Sequence, residues 1–132
     1  MQFLLDANIL SALLRNPFGP IEKQIRFHGI DAVCTSIIAA SELRFGAYKI
    51  GSARLTSEVE HLFERLPVIP FDVPADKHYA ELRASLERAG TPIGANDMLI
   101  AAHALALGYT LVTNNDREFA RVKSLKVENW LR

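Results

Sequence analysis

The chain has 132 residues, 49% hydrophobic and 23% charged, which excludes a disordered tail and fits one globular domain over residues 1–132 that buries its core without disulfide or metal staples. Fifteen lysines and arginines balance fifteen aspartates and glutamates, so no net positive charge draws it to phosphate backbones. The single cysteine, Cys34, cannot form an internal disulfide, and no apolar run reaches the roughly 18 residues of a membrane span, so a cytoplasmic protein is expected.

In chain order, Phe3-Leu4-Leu5 is a short apolar run that predicts a buried strand, followed at once by Asp6. The early acid and the absence of a basic leader argue against a signal peptide. Ile9, Leu10, Leu13 and Leu14 recur at helical spacing, and Asn16-Pro17 ends that helix. A second short helix runs from Ile21 to Phe27 and closes at Gly29. Ala32-Val33-Cys34 predicts the next strand, with the cysteine as a buried thiol. The hydroxyl pair Thr35-Ser36 occupies a cap position before a helix from Ile37 to Tyr48. Gly51-Ser52 precedes an amphipathic helix carrying Leu55, Val59, Leu62, Phe63 and Leu66. Val68-Ile69 is a strand between prolines. Pro74 opens a helix through Tyr79, Leu82 and Leu86 that stops at Gly90.

Asn96-Asp97 is expected to cap the apolar helix Met98 to Leu107, which Gly108 ends. Thr110 to Thr113 is a strand, followed by the polar loop Asn114-Asn115-Asp116. Phe119 and Val122 suggest a last short helix, and Lys126-Val127-Glu128 a last strand. Strands alternating with helices predict an α/β fold with a mostly parallel sheet flanked by helices. Ligands of such folds bind outside the carboxyl ends of the strands.

That rule selects acids. Asp6 directly follows the first strand, and Asp116 lies three residues beyond the fourth. Asp97 stands at the start of an apolar helix, and Glu42 inside another. Taken singly, Asp6 and Asp97 fit helix caps, Glu42 an exposed helix residue pairing with a neighbour such as Arg44, and Asp116 a turn. Taken together they fit a cation site. Carboxylates gathered at one sheet edge repel one another unless a cation neutralises them, and oxygen donors suit Mg²⁺ or Mn²⁺. The four histidines (His28, His61, His78, His103) and Cys34 lack zinc-ligand spacing and are expected at the surface or in helix packing. No phosphate-binding glycine loop and no nucleophile elbow is present. An aspartyl-phosphate mechanism at Asp6 lacks its second acid, because position 8 is asparagine.

These segments resemble PIN-domain ribonucleases, in particular VapC-type toxins of VapBC toxin–antitoxin modules. Phe-Leu-Leu-Asp-Ala-Asn-Ile-Leu at the start resembles the segment bearing the first acid of that family. Thr35-Ser36 with Ser41-Glu42-Leu43 and Gly46 resembles the second. Pro92-Ile93-Gly94-Ala95-Asn96-Asp97 resembles the third, and Leu111-Val112-Thr113-Asn114-Asn115-Asp116-Arg117-Glu118-Phe119 the fourth, followed by Val127-Glu128-Asn129-Trp130. The resemblance implies a PIN-like α/β/α sandwich. It also implies a Mg²⁺- or Mn²⁺-dependent endoribonuclease that cuts tRNA, in one branch initiator tRNA, works as a homodimer and is inhibited by a VapB-type antitoxin. Asp6, Glu42, Asp97 and Asp116 are carried over as catalytic and metal residues. The fourth position stays open among Asn115, Asp116 and Glu118, and Arg117 and Thr113 are candidates for contact with substrate phosphate or a water. Against the enzyme stands a degenerate PIN domain that acts only as a binding scaffold. Neutral net charge is a difficulty for an RNA enzyme, which the basic segment Arg117 to Lys126, doubled in a dimer, is expected to offset. The faces carrying Ile37, Ile38, Phe45 and Tyr48, or Leu55, Val59, Leu62 and Phe63, are candidates for a subunit contact or for core.

Overall fold

The structure, a computed structural model, describes residues 2–132. Strands β1 (Phe3–Leu5), β2 (Val33–Ser36), β3 (Val68–Ile69), β4 (Thr110–Val112) and β5 (Val127–Glu128) alternate with helices α1 (Ala7–Arg15), α2 (Pro20–His28), α3 (Ile37–Ile50), α4 (Ala53–Arg65), α5 (Ala75–Ala89), α6 (Ala95–Leu107) and α7 (Asp116–Phe119). The strands form one parallel sheet in the order β3-β2-β1-β4-β5. This is the α/β/α arrangement expected from the alternation.

Helices cover both sheet faces, so the central strand β1 carries apolar residues without interruption and all of β2 is buried. Alternation along β1 assigns each residue to a face. Phe3 and Leu5 join Val33 and Val112 against Ile9 and Leu10 of α1, Ile21 of α2, Leu43 of α3 and Val59 of α4. Leu4 joins Cys34 and Leu111 against α5 and α6, with Phe119 of α7 in the same cluster. The chain winds outward from β1 to β3 and then crosses back over β1 to β4. Right-handed crossovers in opposite directions place α5 and α6 on the other face from α1 to α4. Helix α6 is enclosed: Met98, Ile100, Ala101, Ala102, His103 and Ala104 are all buried. This explains its apolar character on every side.

Several boundaries differ from the sequence expectation: α3 runs on to Ile50, β4 stops at Val112 and β5 starts at Val127. Ala32 ends a 3₁₀ turn (Ile30–Ala32), and β2 runs on through Thr35 and Ser36. Only Ser36 caps α3, accepting from the Ile38 amide, while the Thr35 hydroxyl donates to the Leu5 carbonyl at 2.6 Å. Helix α6 starts at Ala95 with Gly94 as its cap residue, so Asn96 and Asp97 lie within its first turn. Cys34 is buried as expected, and its burial pushes the thiol up to about 11. No helix among the described residues is long and apolar enough to cross a membrane.

Phe119 is fully buried and anchors the one-turn helix α7 to the core. Phe119→Ala is expected to lower the unfolding free energy by about 3–5 kcal/mol, measured by urea denaturation. A loss below about 1 kcal/mol would show that α7 is not held by this ring.

Candidate active site

The strand order reverses beside β1, between β2 on one flank and β4 on the other. In open parallel sheets this reversal leaves a crevice at the carboxyl ends of the strands. Asp6 follows β1 and Thr113 follows β4 at that crevice.

Asp6 is 4% exposed. Its Oδ1 accepts from the Ala7 amide at 2.8 Å, so it does cap α1. Its Oδ2 accepts from the Thr113 hydroxyl at 2.9 Å and from Asn8 Nδ2 at 3.3 Å. Asn8 in turn accepts from the Asn114 amide through Oδ1, and Thr113 Oγ1 accepts from the Asn115 amide. This network ties the first acid to the β4–α7 loop. Burial pushes the Asp6 carboxyl up, against hydrogen bonds from Thr113, Ala7 and Asn8 that stabilise the anion.

Asp97 projects from the first turn of α6, where the helix dipole favours a negative charge. Its carboxyl is nevertheless pushed up to about 7 by burial, by Glu118, and by Asp6 and Glu42. Gly94 permits this approach: a Cβ there would lie 3.3 Å from Asp97 Oδ2 and 3.9 Å from Glu118 Oε1. Glu42 projects from α3 and is half-buried, with Oε1 enclosed and without a hydrogen-bond partner. It does not pair with Arg44, which forks onto Glu60 at 2.8 and 3.0 Å. Burial and then the Asp6 charge push Glu42 up.

The fourth acid differs from the sequence expectation. Asp116 is not in the cluster: its Oδ1 accepts from Asn129 and its Oδ2 pairs with Arg132 at 3.1 Å. The Asn129 bond, with Arg132 and Arg117, holds its carboxyl below the usual range. Glu118 takes the place beside Asp97. Its Oε1 accepts from the Gly94 amide at 2.9 Å and its Oε2 from Asn115. Burial raises Glu118, but the Gly94, Asn115 and Asp97 hydrogen bonds outweigh it and leave the carboxyl lowered. The two carboxyls are thus shifted in opposite directions, Asp97 up and Glu118 down. Residues two apart on a helix project about 200° apart, so Asp116 and Glu118 cannot both face the crevice. The contacts of Asp116 with Asn129 and Arg132 turn it away and leave Glu118 facing Gly94. Glu118 is one of the three positions that the sequence leaves open, whereas Asn8, two residues beyond Asp6, has no role assigned to it there.

Asp6, Glu42, Asp97 and Glu118 come from four separate segments and influence one another's ionisation. Among the described residues, no three acidic, histidine or cysteine side chains converge tightly enough to enclose an ion unaided. Even so, the donor set fits a hard cation. All donors are oxygens, one of them is buried and unsatisfied, and burial and the neighbouring acids push one carboxyl, that of Asp97, up to about 7. Mg²⁺ is commonly bound by one or two carboxylates with water completing the shell, which suits such an open arrangement. A cleft of about 880 Å³ between α1, α3 and α4 opens beside Glu42 and Asn8 and reaches Arg15 and Arg54.

The sequence profile of the PIN domain matches residues 3–125, which takes in strands β1 to β4 and the acidic edge. The chain is 36% identical over 131 residues, 98% of each chain, to the tRNA(fMet)-specific endonuclease VapC of Salmonella typhimurium strain LT2. Its fold superposes on the crystal structure of VapBC2 from Rickettsia felis bound to a promoter DNA fragment with a TM-score of 0.91, at 34% identity, covering 98% of this chain and 99% of that one. VapBC-1 from nontypeable Haemophilus influenzae gives a TM-score of 0.88 at 32% identity over the full length of both chains. The chain therefore belongs to the PIN-domain family, and within it to the VapC ribonucleases.

The ionisation pattern sets a pH dependence. The folded-state pKa of Asp97 lies above its ordinary 3.8, so its contribution to stability is full below that value and is lost as pH rises through about 7. Asp6 and Glu42 are raised and act the same way. Glu118 is lowered and acts oppositely, its contribution being lost as pH falls. In EDTA, urea midpoints of the wild type should fall between about pH 4 and about pH 8, and Asp97→Asn should flatten that slope. Equal slopes in the two proteins would contradict the ionisation assigned to Asp97.

Proposed function

We propose that this protein is a Mg²⁺- or Mn²⁺-dependent endoribonuclease toxin of a toxin–antitoxin module, hydrolysing tRNA phosphodiesters, with initiator tRNA as the first substrate to test. The observation that carries this reading is the gathering of Asp6, Glu42, Asp97 and Glu118 at the switch point without a paired lysine or arginine among the described residues. Similarity over nearly the whole chain to a tRNA(fMet)-specific endonuclease supports the substrate class. The VapBC complexes among its structural relatives support a VapB-type antitoxin as partner. The site of action proposed is the cytoplasm.

In this reading Asp6 and Asp97 hold the cation, and Glu42 and Glu118 complete its surroundings. A divalent cation there supplies Lewis-acid charge and activates water for attack on a phosphodiester at neutral pH. The protein's own groups orient and discharge. Ala7, Thr113 and Asn8 fix the Asp6 carboxylate. Gly94 and Asn115 fix Glu118. Asp97, whose carboxyl is pushed up to about 7, would give up its proton on holding the cation. Arg117, exposed on α7 between Asp116 and Glu118, is placed to meet a substrate phosphate. No serine, cysteine or histidine nucleophile stands in the cluster, in keeping with direct attack by water.

We further propose a homodimer. Ile37, Phe45 and Tyr48 are 39%, 66% and 64% exposed along α3, an apolar row that a second copy would cover. In contrast, Val59 is core and Leu55, Leu62 and Phe63 pack against it. A scaffold that has lost catalysis would have no need to keep four acids in mutual repulsion.

Purified protein freed of any partner should cleave a tRNA pool with Mg²⁺ or Mn²⁺ and not with EDTA. Asp6→Ala, Asp97→Asn and Glu118→Gln should each lose about 100-fold or more, whereas Asp116→Asn should stay within a few-fold of wild type. Cleavage unaffected by EDTA or by folded Asp97→Asn protein would overturn the metal site. A larger loss in Asp116→Asn than in Glu118→Gln would overturn the assignment of the fourth acid.

A further inference from the structure

The helices that carry Glu42 and Asp97 are joined behind the site by one buried polar pair. His103, two turns along α6 from Asp97, is 1% exposed. Its Nδ1 lies 2.8 Å from Ser36 Oγ, itself fully buried at the end of β2. Ser36 Oγ accepts from the Ile38 amide at 3.0 Å, which is the bond that starts α3. The Phe71 ring packs edge-on against the imidazole at 5.4 Å. Ser36 Oγ has a proton to give and two lone pairs, so while it accepts from Ile38 it pairs with Nδ1 in either imidazole tautomer. Nε2 is buried without a hydrogen-bond partner. A buried imidazole in an otherwise apolar helix is costly, and leucine would fill the same space at no polar cost. The Ser36 bond is the side-chain hydrogen bond set against that cost.

We propose that His103 is a positioning residue: through Ser36 it locks the first turn of α3 to α6, and so sets the placement of Glu42 relative to Asp97. The proposal rests on the reading of these acids as a cation site. It assigns His103 no contact with substrate or cation. The chain of bonds runs from the α6 imidazole to the Ser36 hydroxyl, to the Ile38 amide, and along one rigid helical turn to Glu42.

The test uses full-length protein carrying His103→Leu, His103→Asn, Ser36→Ala and the double variant His103→Leu/Ser36→Ala. Mn²⁺ affinity is read by EPR without RNA, and kcat and KM on tRNA are read separately. Circular dichroism and urea midpoints select conditions in which each variant is folded. His103→Leu should weaken Mn²⁺ binding and lower kcat by about tenfold or more, with KM for RNA little changed. Asparagine presents an acceptor where Nδ1 lies, so His103→Asn should regain most of both. Ser36→Ala should match His103→Leu, and the double variant should be no worse than either, because both remove one linkage. Folded His103→Leu with wild-type Mn²⁺ affinity and kcat would overturn the proposal, as would losses that multiply in the double variant. Wild-type protein that binds no Mn²⁺ would overturn the reading of the site and this inference with it, whereas normal wild-type binding with unmoved variants would overturn the inference alone.

Discussion

Four carboxylates held in mutual repulsion at one edge of a parallel sheet are the constraint on which this structure turns. Each is restrained by a different means. Asp6 is desolvated but receives three hydrogen bonds. Glu118 is fixed by a backbone amide and by Asn115. Asp97 is pushed up to about 7 by burial and by the neighbouring acids. Glu42 has neither amide nor cation, only a buried oxygen without a partner. Buried polar groups in native proteins are nearly always satisfied, and exceptions concentrate where a ligand completes the set. Folding thus stores electrostatic cost at this edge, and binding of a positive charge recovers it.

The sheet order explains why the cost accumulates at this place. Winding from β1 to β3 and crossing back to β4 brings chain segments about a hundred residues apart side by side, so that Asp6 meets Thr113 across neighbouring strands. Helices α3 and α6, from opposite faces, then reach over the strand ends with Glu42 and Asp97. The apolar faces of β1 and the all-round burial of α6 are therefore functional as well as structural. They fix the depth at which each acid emerges, and the His103–Ser36 pair ties the two faces together at the same level.

Much of this was legible in the chain because it followed short-range rules. Asp6 after Phe3-Leu4-Leu5, Gly51, Gly90 and Gly108 after helical periods, and the prolines around Val68-Ile69 each announce an element boundary. What could not be read was long-range. Thr35 looks like half of a cap, and only the neighbouring strand shows that its hydroxyl belongs to the Leu5 carbonyl. Asn96 and Asp97 look like cap residues, but Gly94 caps the helix because Glu118, arriving from another segment, takes up the Gly94 amide. Glu42 sits on a helix that buries residues toward both sheet clusters, so no single apolar stripe marks its inward face. His103 reads from sequence as a helix-packing residue. It is one, but its partner lies 67 positions away.

Asp116 and Glu118 show how little separates a structural acid from a functional one. Both lie on the same turn, and each is served by an asparagine. Asp116 faces Asn129 and Arg132, so its charge is spent in securing the segment that follows β5. Glu118 faces Asp97, so its charge is left for the site. The neutral charge of the chain acquires meaning in this light. Of the basic residues after α7, Arg121 donates to the Pro92 carbonyl and Arg132 to Asp116, which leaves few cations to attract phosphate. A phosphodiester approaching the acidic edge would be repelled until positive charge is bound there. On the proposed reading, substrate and cation would be coupled by electrostatics, each raising the affinity for the other, and no strongly basic surface would be needed once a cation is in place.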